Sequence, residues 1–330
     1  MNTAMGMTMI DEPLLGFWDK LASYTAWVLA GALFFTVGWI ALEPVDPLGP
    51  ISLMTGHGVA RMLVQASLLA MVAAFIGTVI IGRKLPDAGT FAAALGLAVV
   101  SVRGGTMELL LLKAADAGTS DRALASRLAV EAVGWCLVIV VALVTSAFVS
   151  RWLHRSIPEA PTLLDDAPHG TPAGWDVPVF GALLGRPPSG GGTAPATGAR
   201  HVVISAGMML VAYQVFGTGL DDRVITHGQA CFVVAASACA GGYVAYRFAP
   251  VQSALWPVLA VFVFAVASYV IASFTSVPPE AGSALPANIP TSRFLRALPV
   301  QVVAVGTAAA IATFWWRRAV GYLLELMMRH

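Results

Sequence analysis

The sequence predicts an all-α integral membrane protein with about eight transmembrane helices arranged as a parallel 4+4 internal repeat. Of its 330 residues, 58% are hydrophobic and only 11% are charged, whereas soluble proteins carry about 25% charged residues. The mean hydropathy is +0.78, and the apolar residues are concentrated in runs of roughly 20, the length that crosses a bilayer. A short motif also occurs twice, in corresponding apolar runs.

The apolar runs predict where the helices lie. Because the runs are continuously apolar instead of alternating with a period of two, we expect helices and not the strands of a membrane barrel. The third and fifth runs are the shortest. The predicted spans are Leu21–Leu42, Ala60–Ile81, Ala88–Val102, Leu128–Val149, His201–Phe216, Gly228–Phe248, Ala254–Phe274 and Leu295–Trp316.

The segment before the first span is acidic where a cleaved signal peptide would be basic. Asp11, Glu12 and Asp19 precede the first run, which predicts a span that is retained and not removed. Residues Pro13–Lys20 have the composition of a short interfacial helix that leads into this span.

A change of composition divides the chain into three regions. Residues 1–150 are the first predicted four-helix membrane repeat, 151–200 a Pro/Gly-rich linker, and 201–330 the second four-helix repeat. The linker is too poor in aliphatic residues to form a core of its own. We expect it, or helix faces of small residues such as Ala92 and Gly96, to contact protein partners.

The repeated motif indicates an internal duplication. The sequences that begin at His57 and His227 both read HGxAxxxVxAS, with six identities in eleven positions at an offset of 170. The same offset aligns Glu131 with Gln301. Each unit has an even number of spans, so the copies would share one orientation and be related by an axis along the membrane normal.

Three polar positions are candidates for substrate binding. Glu131 lies inside a predicted span, where an ionisable group is costly and commonly functional. It could pair locally with Arg127 at i,i+4, or it could face the seam between the repeats together with Gln301 and bind a cation or proton. Arg103 precedes two glycines that interrupt an apolar stretch.

Two structures fit that interruption. A discontinuous helix at a transport site would expose backbone groups, and Arg103 could then hold an anion. Alternatively, the third span ends at Arg103 and a surface helix begins near Leu109.

Metal or haem binding is a separate prediction, based on two histidines. His57 and His227 would occupy equivalent places near the ends of two spans and could hold a metal or haem or titrate; alternatively, they only mark where a helix begins. Cys136, Cys231 and Cys239 have no metal-binding spacing and are expected to pack among helices. We therefore predict no cofactor.

Composition and motifs also exclude several functions. A net charge of +1 argues against nucleic acid as a partner and leaves the lipid bilayer. The nucleotide-binding loops, the nucleophile elbow and the zinc-protease motif are absent from the sequence, which favours a non-enzymatic function. Basic clusters after the second, fourth and eighth spans favour a cytoplasmic linker and cytoplasmic termini. The expected location is a bacterial-type inner (plasma) membrane.

Three functions fit these features. The first is a transporter or channel for a small solute or ion, with a polar seam between the repeats. The alternative is a non-catalytic structural or assembly subunit of a larger membrane complex. A haem- or metal-binding redox protein is the least favoured.

Overall fold

The described part of the chain is entirely helical in its regular elements. The structure, a computed structural model, describes residues 16–46, 48–53, 58–82, 85, 87–156, 195–218, 225–251, 253–275 and 292–329. The helices are α1 (Phe17–Leu42), α2 (Val59–Ile81), α3 (Ala88–Ser101), α4 (Met107–Asp116), α5 (Asp121–Ser156), α6 (Pro195–Gly217), α7 (His227–Phe248), α8 (Leu255–Thr275) and α9 (Pro299–Arg329), with a 3₁₀ turn at Arg293–Arg296.

Seven of these helices, all except α3 and α4, are long and apolar enough to cross a bilayer. The predicted all-α integral membrane fold is confirmed. Helix α3 has only 14 residues, so it is about 21 Å long against a hydrocarbon core of roughly 30 Å. It packs against α1, α2, α5 and α9, and because protein surrounds it, its length need not match the lipid.

Several predicted boundaries move outward in the structure; helix α5, for example, runs from Asp121 to Ser156 and extends beyond its predicted span at both ends. Residues 17–20 belong to the spanning helix α1 itself and do not form a separate interfacial helix; the residues before Gly16 lie outside the described ranges. Helix α6 begins at Pro195, six residues before the predicted start, and ends at Gly217. Proline suits the first turn of a helix because its missing N–H would have no partner there.

The helices form two sets with the same packing order. In the first set, α1, α2, α5 and α3 follow one another around a ring; in the second set, α6, α7, α9 and α8 do the same. The contact between the sets is reciprocal, because the third helix of each set packs against the fourth helix of the other. The two fourth helices, α5 and α9, also pack together.

Small residues bring α2, α3 and α5 into close contact. A Cβ added at Gly77 would lie 2.9 Å from Ala92 Cβ, and one at Gly89 would lie 2.2 Å from Thr78 Oγ1. The Thr78 and Ser146 hydroxyls are 3.0 Å apart and form a buried hydrogen bond between α2 and α5. Such close approach supplies the packing that drives helix association in a membrane.

Candidate functional site

Buried polar side chains form two clusters at one end of the helix bundle. At this end α3 finishes, and α2, α5, α7 and α9 have their first turns. The two clusters are centred on Glu131 and on Gln301. Glu131 is 2% exposed and Gln301 is 1% exposed. Because an unpaired polar group is costly in this environment, the partners of these two side chains define what the site can do.

Glu131 is held by hydrogen-bond donors that carry no charge. The Ser52 hydroxyl donates to Oε2 at 2.5 Å, and the Trp135 indole Nε1–H donates to Oε1 at 3.0 Å. The backbone N–H of Leu53 is a third donor. Trp135 lies one helical turn after Glu131 and therefore shares its face of α5.

The predicted local ion pair between Arg127 and Glu131 does not form in the structure. Arg127 is exposed, and no basic side chain of the described residues makes a salt bridge to Glu131. The carboxyl group is thus enclosed by dipoles instead of a counter-ion. A hydrogen-bonded carboxyl group of this kind can hold or release a proton without disrupting an ion pair.

Gln301 and His227 form a directed chain of hydrogen bonds. The Leu298 backbone N–H donates to Gln301 Oε1 at 3.1 Å, Gln301 Nε2 is 2.8 Å from His227 Nδ1, and His227 Nε2 is 2.9 Å from the Gly104 carbonyl oxygen. A carbonyl oxygen can only accept, so Nε2 carries the hydrogen. Nδ1 then accepts from the Gln301 amide, which assigns a neutral imidazole.

This chain joins the two sets of helices. Gly104 follows α3 in the first set, whereas His227 and Gln301 begin α7 and α9 in the second. The Glu131 cluster has a related layout, because Ser52 and Leu53 precede α2. In each set a polar residue of the fourth helix therefore bonds to the region where the second helix begins.

The Arg103 side chain contacts α1 and neither cluster, although the carbonyl of the adjacent Gly104 belongs to the Gln301 cluster. Its guanidinium is 4.6 Å from the centroid of the Phe35 ring and 4.7 Å from that of Trp39. It also donates to the Phe35 carbonyl, within the π-helical turn Phe34–Gly38 of α1. Of the predicted site residues, the structure brings Gln301 and His227 together but does not bring Arg103 to Glu131 or Gln301.

The interruption after α3 matches the second of the two predicted structures. Helix α3 ends at Ser101, and α4 begins as a separate ten-residue helix at Met107. Two glycines are needed between them because the loops pack closely: the Gly105 N–H donates to the Gly49 carbonyl at 2.8 Å, and a Cβ at Gly105 would lie 2.4 Å from the Leu48 carbonyl oxygen.

An exposed ion pair fixes α4 to the loop after α1. Lys113 Nζ is 2.6 Å from Asp46 Oδ2. The hydrogen bond from Lys113 lowers the pKa of the Asp46 carboxyl group, and the Leu48 backbone N–H lowers it further.

Sequence reasoning did not single out a second group of buried polar residues near α9. Arg296 is 7% exposed and donates from NH1 to the Gly217 carbonyl at 2.8 Å. The Tyr269 hydroxyl donates to the Ala297 carbonyl at 2.6 Å. A cavity of about 10 Å³ beside Arg296 and Tyr213 is the size that holds roughly one water molecule. Nothing in a single sequence marks Arg296 as buried, because it lies in a predicted span boundary rich in basic residues.

The histidine pair is described only in part. His57 lies outside the described residues, and both ring nitrogens of His227 are already hydrogen-bonded. Among the residues that the structure describes, no three His, Cys, Asp or Glu side chains are grouped as metal ligands. Cys136 is buried, Cys231 is partly buried and Cys239 is exposed.

Comparison with known proteins adds no relative. No family model, no curated protein and no solved structure matches the chain. The geometry of the two polar clusters is therefore what points to a function.

Proposed function

We propose that the protein is a membrane transporter or channel for a small solute or ion, in which Glu131 binds the cation or proton. The observation that carries this proposal is a carboxyl group, 2% exposed, on a membrane-length helix, held by Ser52, Leu53 and Trp135 and by no basic side chain of the described residues. Ionisable residues are retained inside spans mainly where they bind or move a charge.

The reciprocal contact between the sets supports a duplicated architecture. A two-fold axis along the membrane normal would exchange α3 with α8 and α5 with α9, which is the pattern of contacts between the sets. Parallel repeats of this kind form transporters whose two units rock against each other around a central site. The Gln301–His227–Gly104 chain is then the polar contact that must change when the units move apart.

We further propose that the linker and both termini are cytoplasmic, in a bacterial-type inner membrane. Arg151, Arg200, Arg247 and Arg317 all lie in helix segments on the linker side of this topology. Basic residues near the ends of spans favour the cytoplasmic side. A protease site inserted in residues 157–194 should be cut only in inverted vesicles, and cutting in right-side-out vesicles would reverse the orientation.

The transport proposal is tested by ion flux in proteoliposomes. Purified protein is reconstituted in vesicles that contain a pH-sensitive dye, and H⁺, Na⁺ and K⁺ gradients are imposed in turn. We expect Glu131→Gln to reduce the flux at least tenfold, because the amide keeps the size of the side chain but cannot change its charge. The matched control is Asp116→Asn, the same change on the exposed end of α4.

Equal flux in the wild type and Glu131→Gln would remove Glu131 from the pathway. Loss of flux in both variants would also count against the proposal, because Asp116 lies on the surface. Size-exclusion profiles of all three proteins must coincide, so that a folding defect is not read as a transport defect.

A structural or assembly subunit is the second candidate. It is favoured by the fact that Gln301 and His227 use their polar atoms to tie helices together, which is a purely structural use. This function predicts that other chains co-purify in gentle detergent and are lost when residues 157–194 are deleted. A chain that purifies alone and transports ions would exclude it. A colourless, metal-free preparation would exclude the redox function.

A further inference from the structure

A groove runs along the outer surface of the bundle between α7 and α9, far along both helices from the polar clusters. Its volume is about 540 Å³, within the roughly 300–1,000 Å³ of typical ligand sites. It is lined by Cys239, Ala240, Tyr243, Val244, Ala312, Thr313 and Trp316.

Small residues form the floor of this groove. Helices α7 and α9 cross closely at Gly242, where an added Cβ would lie 3.2 Å from Thr313 Cγ2. Cys239 and Ala312 therefore leave a shallow channel over the crossing point. The large rings of Tyr243 and Trp316, which are 50% and 54% exposed, stand beside it as walls.

The groove offers almost no hydrogen bonds to an occupant. The Thr313 hydroxyl donates to the Ala309 carbonyl of its own helix at 2.8 Å. The remaining polar side-chain atoms of the lining are the Cys239 thiol, the Tyr243 hydroxyl and the Trp316 indole N–H. A surface of this kind suits a saturated or unsaturated hydrocarbon chain.

One end of the groove carries a positive charge. The Arg317 guanidinium carbon lies 5.0 Å from the centroid of the Tyr243 ring, and the Tyr243 and Trp316 rings are 6.1 Å apart. In the sequence of α9, Arg317 and Arg318 directly follow the apolar run that ends at Trp316, which places Arg317 at the depth of lipid headgroups. A guanidinium that stacks on a ring by its face keeps its N–H edge available to phosphate oxygens.

We infer that this groove binds one anionic phospholipid, with an acyl chain between α7 and α9 and the phosphate at Arg317. The charge favours a lipid over a helix of a second copy, because a headgroup supplies the anion that an apolar helix lacks. Juxtamembrane basic residues attract anionic lipids in this way. This inference is independent of the transport proposal, since it uses none of the residues near Glu131.

Native mass spectrometry of protein from mixed phosphatidylglycerol and phosphatidylcholine nanodiscs tests the inference. We expect one retained phosphatidylglycerol per chain, with a preference of about fivefold over phosphatidylcholine. Arg317→Gln should remove the preference while a lipid is still retained, and Ala312→Trp, which fills the groove, should remove retention. The control is Arg200→Gln on α6, a helix that does not pack closely on α9.

The lipid-binding inference can be overturned by either of two results in this experiment. Equal retention of the two lipids by the wild type, or an equal effect of Arg200→Gln and Arg317→Gln, would overturn the inference. Alkylation of Cys239 by a membrane-permeant maleimide gives a second measurement: phosphatidylglycerol should slow it and phosphatidylcholine should not. Oxidative cross-linking of Cys239 between two chains in membranes would show that a second copy occupies the groove instead.

Discussion

The two sets of helices have the same packing order but fill it with side chains of different size. In the first set, α2 and α3 pack closely across the ring through glycine and alanine; the corresponding helices of the second set, α7 and α8, make no such close contact within the described residues. In the second set, Gly306 of α9 lies between valines of α7 and α8. A Cβ added at Gly306 would be 2.9 Å from Val261 Cγ1 and 3.7 Å from Val234 Cγ1. The diagonal contact of a four-helix ring thus closes where the facing side chains are small, as between α2 and α3, and stays open between α7 and α8.

The polar clusters differ in a related way. Among the described residues, Glu131 bonds within the first set alone, whereas Gln301 reaches the first set through His227 and Gly104. If the sets are copies, Glu131 and Gln301 are equivalent positions with different structural roles. Glu131 links elements of its own set, whereas Gln301 links the two sets. Corresponding positions in the two sets therefore need not have the same hydrogen-bond partners or the same chemistry.

The largest expected effect is the loss of the close helix contact in the first set. We expect Gly89→Leu to prevent folding, because a Cβ there would lie 2.2 Å from Thr78 Oγ1 and 2.4 Å from the Ala74 carbonyl oxygen. Overpacking costs about 1–3 kcal/mol and occasionally more, and a clash with a backbone carbonyl oxygen leaves little room for relaxation. Fluorescence-detected size-exclusion measures the yield of folded protein.

The control for this change lies in the second set. A Cβ at Gly207 meets nothing within 4 Å, so Gly207→Leu should leave the yield unchanged. Equal yields for the two leucine variants would show that the close packing of α2 and α3 is not required.

A smaller effect is expected from the polar clusters, and it should differ between the sets. Glu131→Ala removes the acceptor of three buried donors, whereas Gln301→Ala removes the acceptor of one buried donor, the Leu298 N–H, and the donor to the partly buried His227 imidazole. Each unsatisfied buried donor costs about 1–3 kcal/mol, so Glu131→Ala should lower the free energy of unfolding more. Chemical unfolding in bicelles measures both values; a larger loss in Gln301→Ala would contradict the assignment of partners.

The chain of hydrogen bonds between the sets predicts coupling between His227 and Gln301. Because both residues act in one chain, the effects of His227→Phe and Gln301→Ala on stability should fall short of their sum by roughly 1 kcal/mol, whereas His227→Phe and Glu131→Gln should add. A double-mutant cycle checks this. Additive effects in the first pair would mean that the chain does not join the sets.

The smallest effect is expected at the exposed ion pair. The pKa of Asp46 is lowered below its ordinary value of 3.8 by Lys113, so any stability that it contributes is present above that value and is lost as pH falls through the folded-state pKa. Asp46→Asn should therefore leave the melting temperature near pH 7 almost unchanged, since exposed pairs contribute little, and should remove only an acid-dependent difference. A large shift at pH 7 would mean that the pair is shielded from water.

Sequence patterns predicted the helices better than the partners of their polar residues. Hydropathy alone located the runs, because a lipid-facing helix must be apolar along its whole length. The Trp135 bond to Glu131 follows from i,i+4 spacing, but Ser52 is 79 residues away from Glu131, and no local pattern relates them. The Gly104-Gly105 pair stands out in the sequence. The reason for it, close packing of this loop against Leu48 and Gly49, appears only in the folded structure.

The wide turn in α1 has a consequence for how that helix tolerates deletion. A π-helical turn contains one residue more than the α-helical path between the same ends, so removing Thr36 would let α1 run as an uninterrupted α-helix with both flanks keeping their neighbours. The Phe35 carbonyl would then be used along the helix axis, and the guanidinium of Arg103 would have to find another acceptor. A one-residue deletion normally rotates one half of a membrane helix against the other, but at this point it removes the extra residue and keeps the register of both flanks.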